Sequence, residues 1–216
     1  EKPRRGDRDA AAAIALTACG DGKSTADNAA NWTVKIGHAA PLTGPQAHLG
    51  KDNENGVRLA IDELNAAPPT IAGKPVKFEL ISEDDQADPR QATTVAQKFV
   101  DDKVTAVIGH MNSGTTIPAS AIYASAGIPQ ISPSATNVKY TQQGFKTAFR
   151  LMANDEQQGT VLGHFAVNEM KAKNIAIIDD RTAYGQGLAD QFEKTAKESG
   201  ATIVGHEFTS DKATDF

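Results

Sequence analysis

The chain has 216 residues, 39% hydrophobic and 23% charged, and its 22 Lys and Arg against 27 Asp and Glu give a net charge of -5. This is enough apolar material for one core or two small lobes, but it argues against nucleic acid as the main partner, since phosphate binding needs a concentrated positive face. The single cysteine, Cys19, excludes an internal disulfide and a multi-cysteine zinc site, and no segment approaches the ~20 apolar residues of a membrane span.

Residues 1–31 differ in composition from the rest of the chain. A basic stretch at residues 2–8 precedes a short apolar stretch at 10–18, Cys19 follows at once, and residues 20–30 are small and polar. A basic head, a short apolar stretch and small residues before a cleavage point predict an export signal followed by a flexible tether. Residues 16–19 (LTAC) also resemble the bacterial lipoprotein box, which makes Cys19 a candidate for lipidation. A disordered or artificial leader is the alternative.

From residue 32 the chain alternates strand and helix patterns. Asp88 is placed to cap a helix that begins with Pro89. Repeated strand–helix–strand units predict a parallel sheet with helices on both faces. The predicted strands cover 34–39, 76–82, 104–108, 128–131 and 145–151. The first predicted helix covers 50–65, and its buried face carries Val57, Ala60, Ile61 and Leu64. The second helix buries Ala92, Val95, Ala96 and Phe99, and the third helix ends near residue 125.

A second series of elements begins near residue 152. Asn154 is placed to cap a helix through 169, and a strand at 174–179, a helix at about 187–199 and a strand at 202–208 follow. Two strands and two helices leave an unpaired sheet edge and an uncovered apolar face. The sequence therefore predicts an α/β protein of two lobes, with a leader and tether at 1–31, the first lobe at 32–151 and an incomplete second lobe at 152–216, in a chain that is a fragment.

Hydroxyl-bearing residues follow two of the predicted strands directly. They lie in residues 109–116 (GHMNSGTT) and 132–137 (SPSATN). The carboxyl ends of parallel strands meet at one edge of a sheet, and a helix that starts there presents unpaired backbone N–H groups. The positions of Ser113 and Thr136 in the sequence therefore predict a binding site for a small carboxylate, at the ends of two neighbouring strands. A helix cap at Ser113 and an ordinary turn at 132–137 are the structural alternatives.

Catalytic and metal-binding motifs are incomplete in this sequence. A nucleophile elbow around Ser113 would need glycines at Met111 and Thr115. The Gly-x-Gly at 185–187 lacks the third glycine of a dinucleotide loop, and the five histidines lack metal-ligand spacing, so His110 is predicted to be hydrogen-bonded structure. The sequence predicts a binding protein with no cofactor and no metal, in which Asp84, Asp85 and Asp88 cap the next helix and face solvent.

Segments in a fixed order carry a family resemblance. They are residues 40–44 (APLTG), 50–62, 84–92, 107–110 (VIGH), 128–137 (IPQISPSATN), 149–150 and 175–188 (IAIIDDRTAYGQGL). Together they resemble the branched-chain amino-acid binding proteins of bacterial ABC importers, a type I periplasmic binding-protein family. The resemblance implies two Rossmann-like lobes with parallel sheets, joined by crossover strands and closing on a ligand, with the second lobe incomplete here.

The resemblance also implies roles for individual residues. Ser113 would bind the ligand carboxylate, Thr136 would reach its ammonium or carboxylate, and Tyr184 would close over it from the second lobe. Leu49 stands where leucine-binding members can have a tryptophan wall, and the family's acidic partner for the ammonium would lie past residue 216. The implied ligand-binding residues are Ser113, Ser134, Ala135, Thr136, Tyr184 and Leu49, with Ser134 contributing mainly backbone.

The implied function is capture of a small, aliphatic amino acid by a monomeric solute-binding protein. Hinge closure would trap the ligand for delivery to the permease subunits of an ABC importer, in the periplasm or from a lipid anchor at Cys19. The same fold could instead bind urea, a short amide or another amino acid, or serve as the ectodomain of a ligand-sensing receptor. A serine hydrolase is the enzymatic alternative.

Overall fold

A computed structural model describes residues 32–215, which form two sheets. The larger sheet has the order β2-β3-β1-β4-β5-β6, in which only β2 and β3 pair antiparallel. Its strands are β1 Trp32–Ala40, β2 Thr70–Ile71, β3 Lys74–Asp84, β4 Ala106–Gly109, β5 Gln130–Ser132 and β6 Ala148–Arg150. The smaller sheet pairs β7 Asn174–Asp179 and β8 Thr202–Phe208 in parallel.

Six α-helices connect these strands within the described residues. They are α1 Ala47–Ala66, α2 Pro89–Asp101, α3 Ser113–Ala126, α4 Lys139–Gln142, α5 Asp155–His164 and α6 Ala183–Glu198, with a π-helical segment Phe165–Glu169 continuing α5. The predicted α/β class with parallel sheets is confirmed. The short elements β2 and α4 were missed, because two residues and a single turn are too short for a periodic pattern.

Side-chain caps explain where three of the helices, α2, α5 and α6, begin. The Asp88 carboxylate accepts hydrogen bonds from the amides of Arg90 and Gln91, so the predicted cap of α2 is confirmed. The Asn154 side chain accepts from the Gln157 amide at the start of α5, also as predicted. Thr182 caps α6, which therefore begins four residues before the predicted start.

The main core lies between the larger sheet and helices α2 and α3. Phe99, Val107 and Tyr123 are fully buried in it, and the predicted stripe of α2 is confirmed at all four positions. The predicted stripe of α1 is wrong in part, because Ile61 is buried whereas Ala60 and Leu64 are exposed. The polar Asn65 side chain, bonded to both backbone groups of Phe78, fixes this end of α1 to β3 and leaves Leu64 facing solvent.

The leader prediction lies outside the described residues, including the lipidation candidate Cys19. None of the helices within residues 32–215 has the length and apolar character of a membrane span. The division into lobes at residue 152 stays a prediction. Helix α3, which follows a strand of the larger sheet, contacts helix α6, which lies between the strands of the smaller sheet.

A charged cluster ties β8 to β7 and α6. The His206 ring lies 3.0 Å from the Asp179 carboxylate and 2.5 Å from that of Glu193. Lys197 pairs with Glu193, and the Arg181 side chain lies 3.8 Å from buried Asp179. Burial lowers the pKa of His206, but the Glu193 and Asp179 carboxylates outweigh burial and raise this pKa above its ordinary value.

Replacing His206 by glutamine is expected to lower the free energy of unfolding by about 1 kcal/mol near pH 6 and by less near pH 9. Protonated His206 stabilises the fold fully below its ordinary pKa, and this contribution is lost as pH rises through the raised pKa. Urea unfolding at both pH values measures the difference. His164→Gln is the control, since that ring contacts the Ser199 hydroxyl; an equal effect of His206→Gln at both pH values would contradict the assignment.

Candidate ligand-binding site

The two hydroxyl-rich segments lie side by side at the carboxyl ends of β4 and β5. Strand register pairs Ile108 with Ile131, so the chain leaves both strands at the same edge. The Asn137 amide donates a hydrogen bond to the Ser113 hydroxyl oxygen at 3.2 Å, which brings Ser113 beside the Thr136–Asn137 peptide. Ser113 is 2% exposed and Thr136 9% exposed. The spacing prediction that these hydroxyls lie at neighbouring strand ends is confirmed.

The first turn of α3 adds backbone donors to this edge. The Asn112 carbonyl accepts from the amides of Thr115 and Thr116, which leaves the N–H groups of Ser113 and Gly114 at the open start of the helix. The Asn112 side chain makes no capping hydrogen bond, and its amide nitrogen donates to the side-chain oxygen of Gln46, the residue before α1. Free N–H groups and the positive end of the helix dipole favour an anion at this position.

The loop that carries Thr136 is held by neighbouring hydroxyls. The Ser132 hydroxyl donates to the His110 carbonyl at 2.8 Å and accepts from the Ala135 amide at 2.9 Å. The Ser134 hydroxyl donates to the Met111 carbonyl at 2.6 Å. Ser134 and buried Ala135 therefore fix the loop, and their side chains offer no free polar group to a ligand.

Asp155 is a site residue that the sequence reasoning missed. It is the first residue of α5, it is 0% exposed, and its amide donates to the Thr136 carbonyl at 2.8 Å. Among the described residues, neither carboxylate oxygen has a hydrogen-bond partner, and neither does the Thr136 hydroxyl. Burial raises the pKa of Asp155, against the opposing effects of the nearby Thr136 hydroxyl and the Arg150 charge.

A buried carboxylate without a partner is costly unless a cationic group joins it. The Asp155 carboxylate is therefore a candidate partner for an ammonium group, in addition to the acidic partner that the resemblance implied past residue 216. In the sequence, Asp155 is an acidic residue in the first helical turn after the cap Asn154, a pattern that by itself indicates only a favourable interaction with the helix dipole. Its position just after β6 was the available signal, because β6 ends at the same sheet edge as β5.

The remaining predicted residues lie on the first turns of two helices. Tyr184 in α6 is 44% exposed and Leu49 in α1 is 47% exposed. The Asn137 side-chain amide donates to the Ala183 carbonyl at 2.5 Å, so the helix that carries Tyr184 contacts the loop of Thr136. A Cβ at Gly187, one turn further along α6, would overlap the side chains of Asn137 and Asp155. Glycine at 187 permits this close approach.

A buried polar chain supports the end of β4. The His110 ring contacts the Asp85 carboxylate at 2.7 Å and the Tyr123 hydroxyl at 3.0 Å, and His110 and Asp85 are both 0% exposed. The prediction that Asp85 faces solvent is wrong, because it pairs with His110 inside the fold. His110 is hydrogen-bonded structure, as predicted, and its carbonyl accepts from the hydroxyls of Thr116 and Ser132. The hydrogen bonds among Asp85, His110 and Tyr123 therefore fix the end of β4, and the His110 carbonyl links it to the segments that carry Ser113 and Thr136.

Comparison with known proteins gives a consistent set of matches. The family model described as periplasmic binding protein matches residues 33–216. The Leu/Ile/Val-binding protein homolog 1 of Brucella abortus is 47% identical over 167 residues, which cover 77% of this chain and 44% of the relative. The chain spans about half the length of the curated relatives it matches.

Two solved structures share the fold. The branched-chain amino acid transporter substrate binding protein LivJ of Streptococcus pneumoniae, in complex with isoleucine, is 33% identical with a TM-score of 0.75, over 85% of this chain and 51% of that one. A solute binding protein of an ABC transporter from Rhodopseudomonas palustris, in complex with 3,4-dihydroxy benzoic acid, is 26% identical with a TM-score of 0.71, over 82% and 47%. These matches confirm the resemblance found in the sequence.

Proposed function

Because this chain belongs to the periplasmic binding protein family, we propose that it captures a small aliphatic amino acid outside the cytoplasm and delivers it to the permease subunits of an ABC importer. The family and the fold are those of solute-binding proteins. In this proposal the protein acts as a monomer without cofactor or metal. Its leader, residues 1–31, directs it to the periplasm or anchors it through lipidated Cys19.

One observation carries the proposal. The Ser113 hydroxyl and the open start of α3 lie beside the Thr136 loop, and Asp155, whose carboxylate has no hydrogen-bond partner among the described residues, also adjoins Thr136. Donors for a carboxylate and an acceptor for an ammonium therefore adjoin the same loop, and an α-amino acid carries both of these groups. No general base contacts the Ser113 hydroxyl among the described residues, which favours binding over hydrolysis.

The proposed mechanism is closure of two lobes on the ligand. Ser113 and Thr136 hold the polar end of the amino acid on the first lobe, Asp155 holds the ammonium, and Tyr184 approaches from α6 with the second lobe. Ser134 and Ala135 keep the loop in place, and Leu49 lies at the edge of the site toward the ligand side chain. Exclusion of water on closure strengthens each polar contact, so the ligand favours the closed state.

Replacing Ser113 by alanine is expected to weaken leucine binding by about 1–3 kcal/mol, because a hydrogen bond to the charged carboxylate is lost. Isothermal titration calorimetry measures the change, after a thermal-shift screen of amino acids, short amides and urea has identified the best ligand. Ser125→Ala is the matched control on the same helix, since the Ser125 hydroxyl bonds only to the Ala121 carbonyl among the described residues.

Unchanged affinity in Ser113→Ala would remove Ser113 from the site. Binding of hydroxybenzoates in preference to amino acids would replace the proposed ligand class. Turnover of an amide or ester that disappears in Ser113→Ala would replace binding by hydrolysis.

A further inference from the structure

Arg150 binds the back of the Thr136 loop. It is the last residue of β6, and one guanidinium nitrogen donates to the carbonyls of Thr136 at 2.8 Å, Asn137 at 2.9 Å and Ala135 at 3.4 Å. The other nitrogen donates to the Thr141 hydroxyl at 2.5 Å. A single side chain thus gathers three successive carbonyls onto one side of the loop.

The orientation of the carbonyls decides the orientation of the amides. In a trans peptide the C=O of one residue and the N–H of the next point in opposite directions, and the peptides of this loop are trans. The carbonyls of Ala135 and Thr136 lie on Arg150, so the N–H groups of the residues that follow them, Thr136 and Asn137, point to the opposite side. The Asn137 amide does so, since it donates to the Ser113 hydroxyl oxygen.

The Thr136 amide makes no hydrogen bond among the described residues. It therefore lies free on the side of Ser113 and the open start of α3. Successive N–H groups turned to one side form an anion-binding concavity, and here a guanidinium stands directly behind the same peptides. A charge in that position acts on the bound anion through a site from which water is excluded on closure.

We propose that Arg150 is a positioning residue for the ligand carboxylate, which it serves by turning the amides of Thr136 and Asn137 toward Ser113 and by placing a positive charge behind them. Arg150 does not itself contact the ligand. The inference rests on the proposed function in that the anion is the carboxylate of the bound amino acid. The geometry of the loop is independent of that function and can be tested without a ligand.

The ligand experiment compares leucine with leucinamide, which lacks the carboxylate charge. Arg150→Gln is expected to weaken leucine binding by roughly tenfold to a hundredfold and leucinamide binding much less, so that the preference for leucine shrinks by about the same factor. Arg150→Lys keeps the charge but cannot hold three carbonyls, and only part of the preference should return. Arg181→Gln is the control, since the Arg181 guanidinium lies over the ring of Phe208 and not on the carbonyls of the Thr136 loop.

The ligand-free experiment is amide hydrogen exchange. Arg150→Gln and Arg150→Lys should both speed exchange at Asn137 at least about tenfold relative to Val107, whose amide is bonded in β4. Normalising to Val107 removes any general loss of stability.

The outcomes separate the two proposals. If the unchanged protein binds no amino acid, the proposed function fails, and exchange at Asn137 alone decides the role of Arg150. If leucine binds and Arg150→Gln weakens the binding of leucine and of leucinamide by the same factor, Arg150 has at most a general structural role and the inference is overturned. The inference is also overturned if Arg150→Gln leaves the binding of both compounds unchanged. Unaltered exchange at Asn137 overturns it as well.

Discussion

Replacing Asp155 by asparagine is expected to weaken the binding of leucine by about 100-fold while leaving the protein at least as stable at neutral pH. The carboxylate is fully buried and has no partner among the described residues, so its charge disfavours the ligand-free fold. Asparagine occupies the same volume without that charge and cannot form an ion pair with an ammonium. Calorimetry with leucine and urea unfolding of the ligand-free protein measure the two effects.

The pH dependence of leucine binding is a second test of the proposed role of Asp155. Because burial raises the pKa of Asp155, leucine affinity should fall as pH is lowered through that raised pKa, and Asp155→Asn should show a flatter profile. The deaminated analogue 4-methylpentanoate should bind the variant at least as well as the unchanged protein. Asp190→Asn is the matched control, on an exposed position of α6; equal leucine affinity in Asp155→Asn across the pH range would remove Asp155 from the site.

Replacing Asp85 by alanine is expected to lower the free energy of unfolding by about 2–3 kcal/mol, because one ring nitrogen of buried His110 loses its hydrogen-bond partner. His110 would be left fully buried with only the Tyr123 hydroxyl as a ring partner. A loss of that size is a large part of the ~5–15 kcal/mol that stabilises an ordinary domain. Urea unfolding measures it.

Two further variants calibrate that experiment. Tyr123→Phe removes one hydrogen bond from the same chain and should cost about 1 kcal/mol. Asp101→Ala removes an exposed carboxylate that accepts only from Gln97 among the described residues, and should cost little. A loss in Asp85→Ala no greater than that in Asp101→Ala would show that the buried pair does not stabilise the fold.

The sequence predicted those parts of the fold that depend on local patterns. The stripe of α2 follows from helical spacing of apolar residues, and the caps Asp88 and Asn154 follow from local side-chain chemistry. The convergence of Ser113 and Thr136 followed from topology, because parallel strands end at a common edge. Each of these predictions depends either on residues close together in sequence or on the general rule that parallel strands end at one edge of a sheet.

The missed features depend on contacts between residues far apart in sequence. In the sequence, Asp85 resembles the neighbouring acids Asp84 and Asp88, and its burial reflects the hydrogen bond to His110, 25 residues later. The exposure of Leu64 follows from the pairing of Asn65 with Phe78, which no helical periodicity encodes. Asp155 and Arg150 likewise became candidate functional residues only because both contact the Thr136 loop. Such pairings become visible only once the strands are in register.

Asn137 offers two NMR probes in one residue, because its backbone amide and its side-chain amide have different hydrogen-bond partners. Its backbone amide is bonded to Ser113, while its side-chain amide is bonded to the first turn of α6. Under the proposed function, the backbone amide responds to a bound ligand and the side-chain amide responds to closure of the second lobe onto the first. NMR resonances of the two amides then report these events separately and show whether the ligand binds before closure or selects molecules that are already closed.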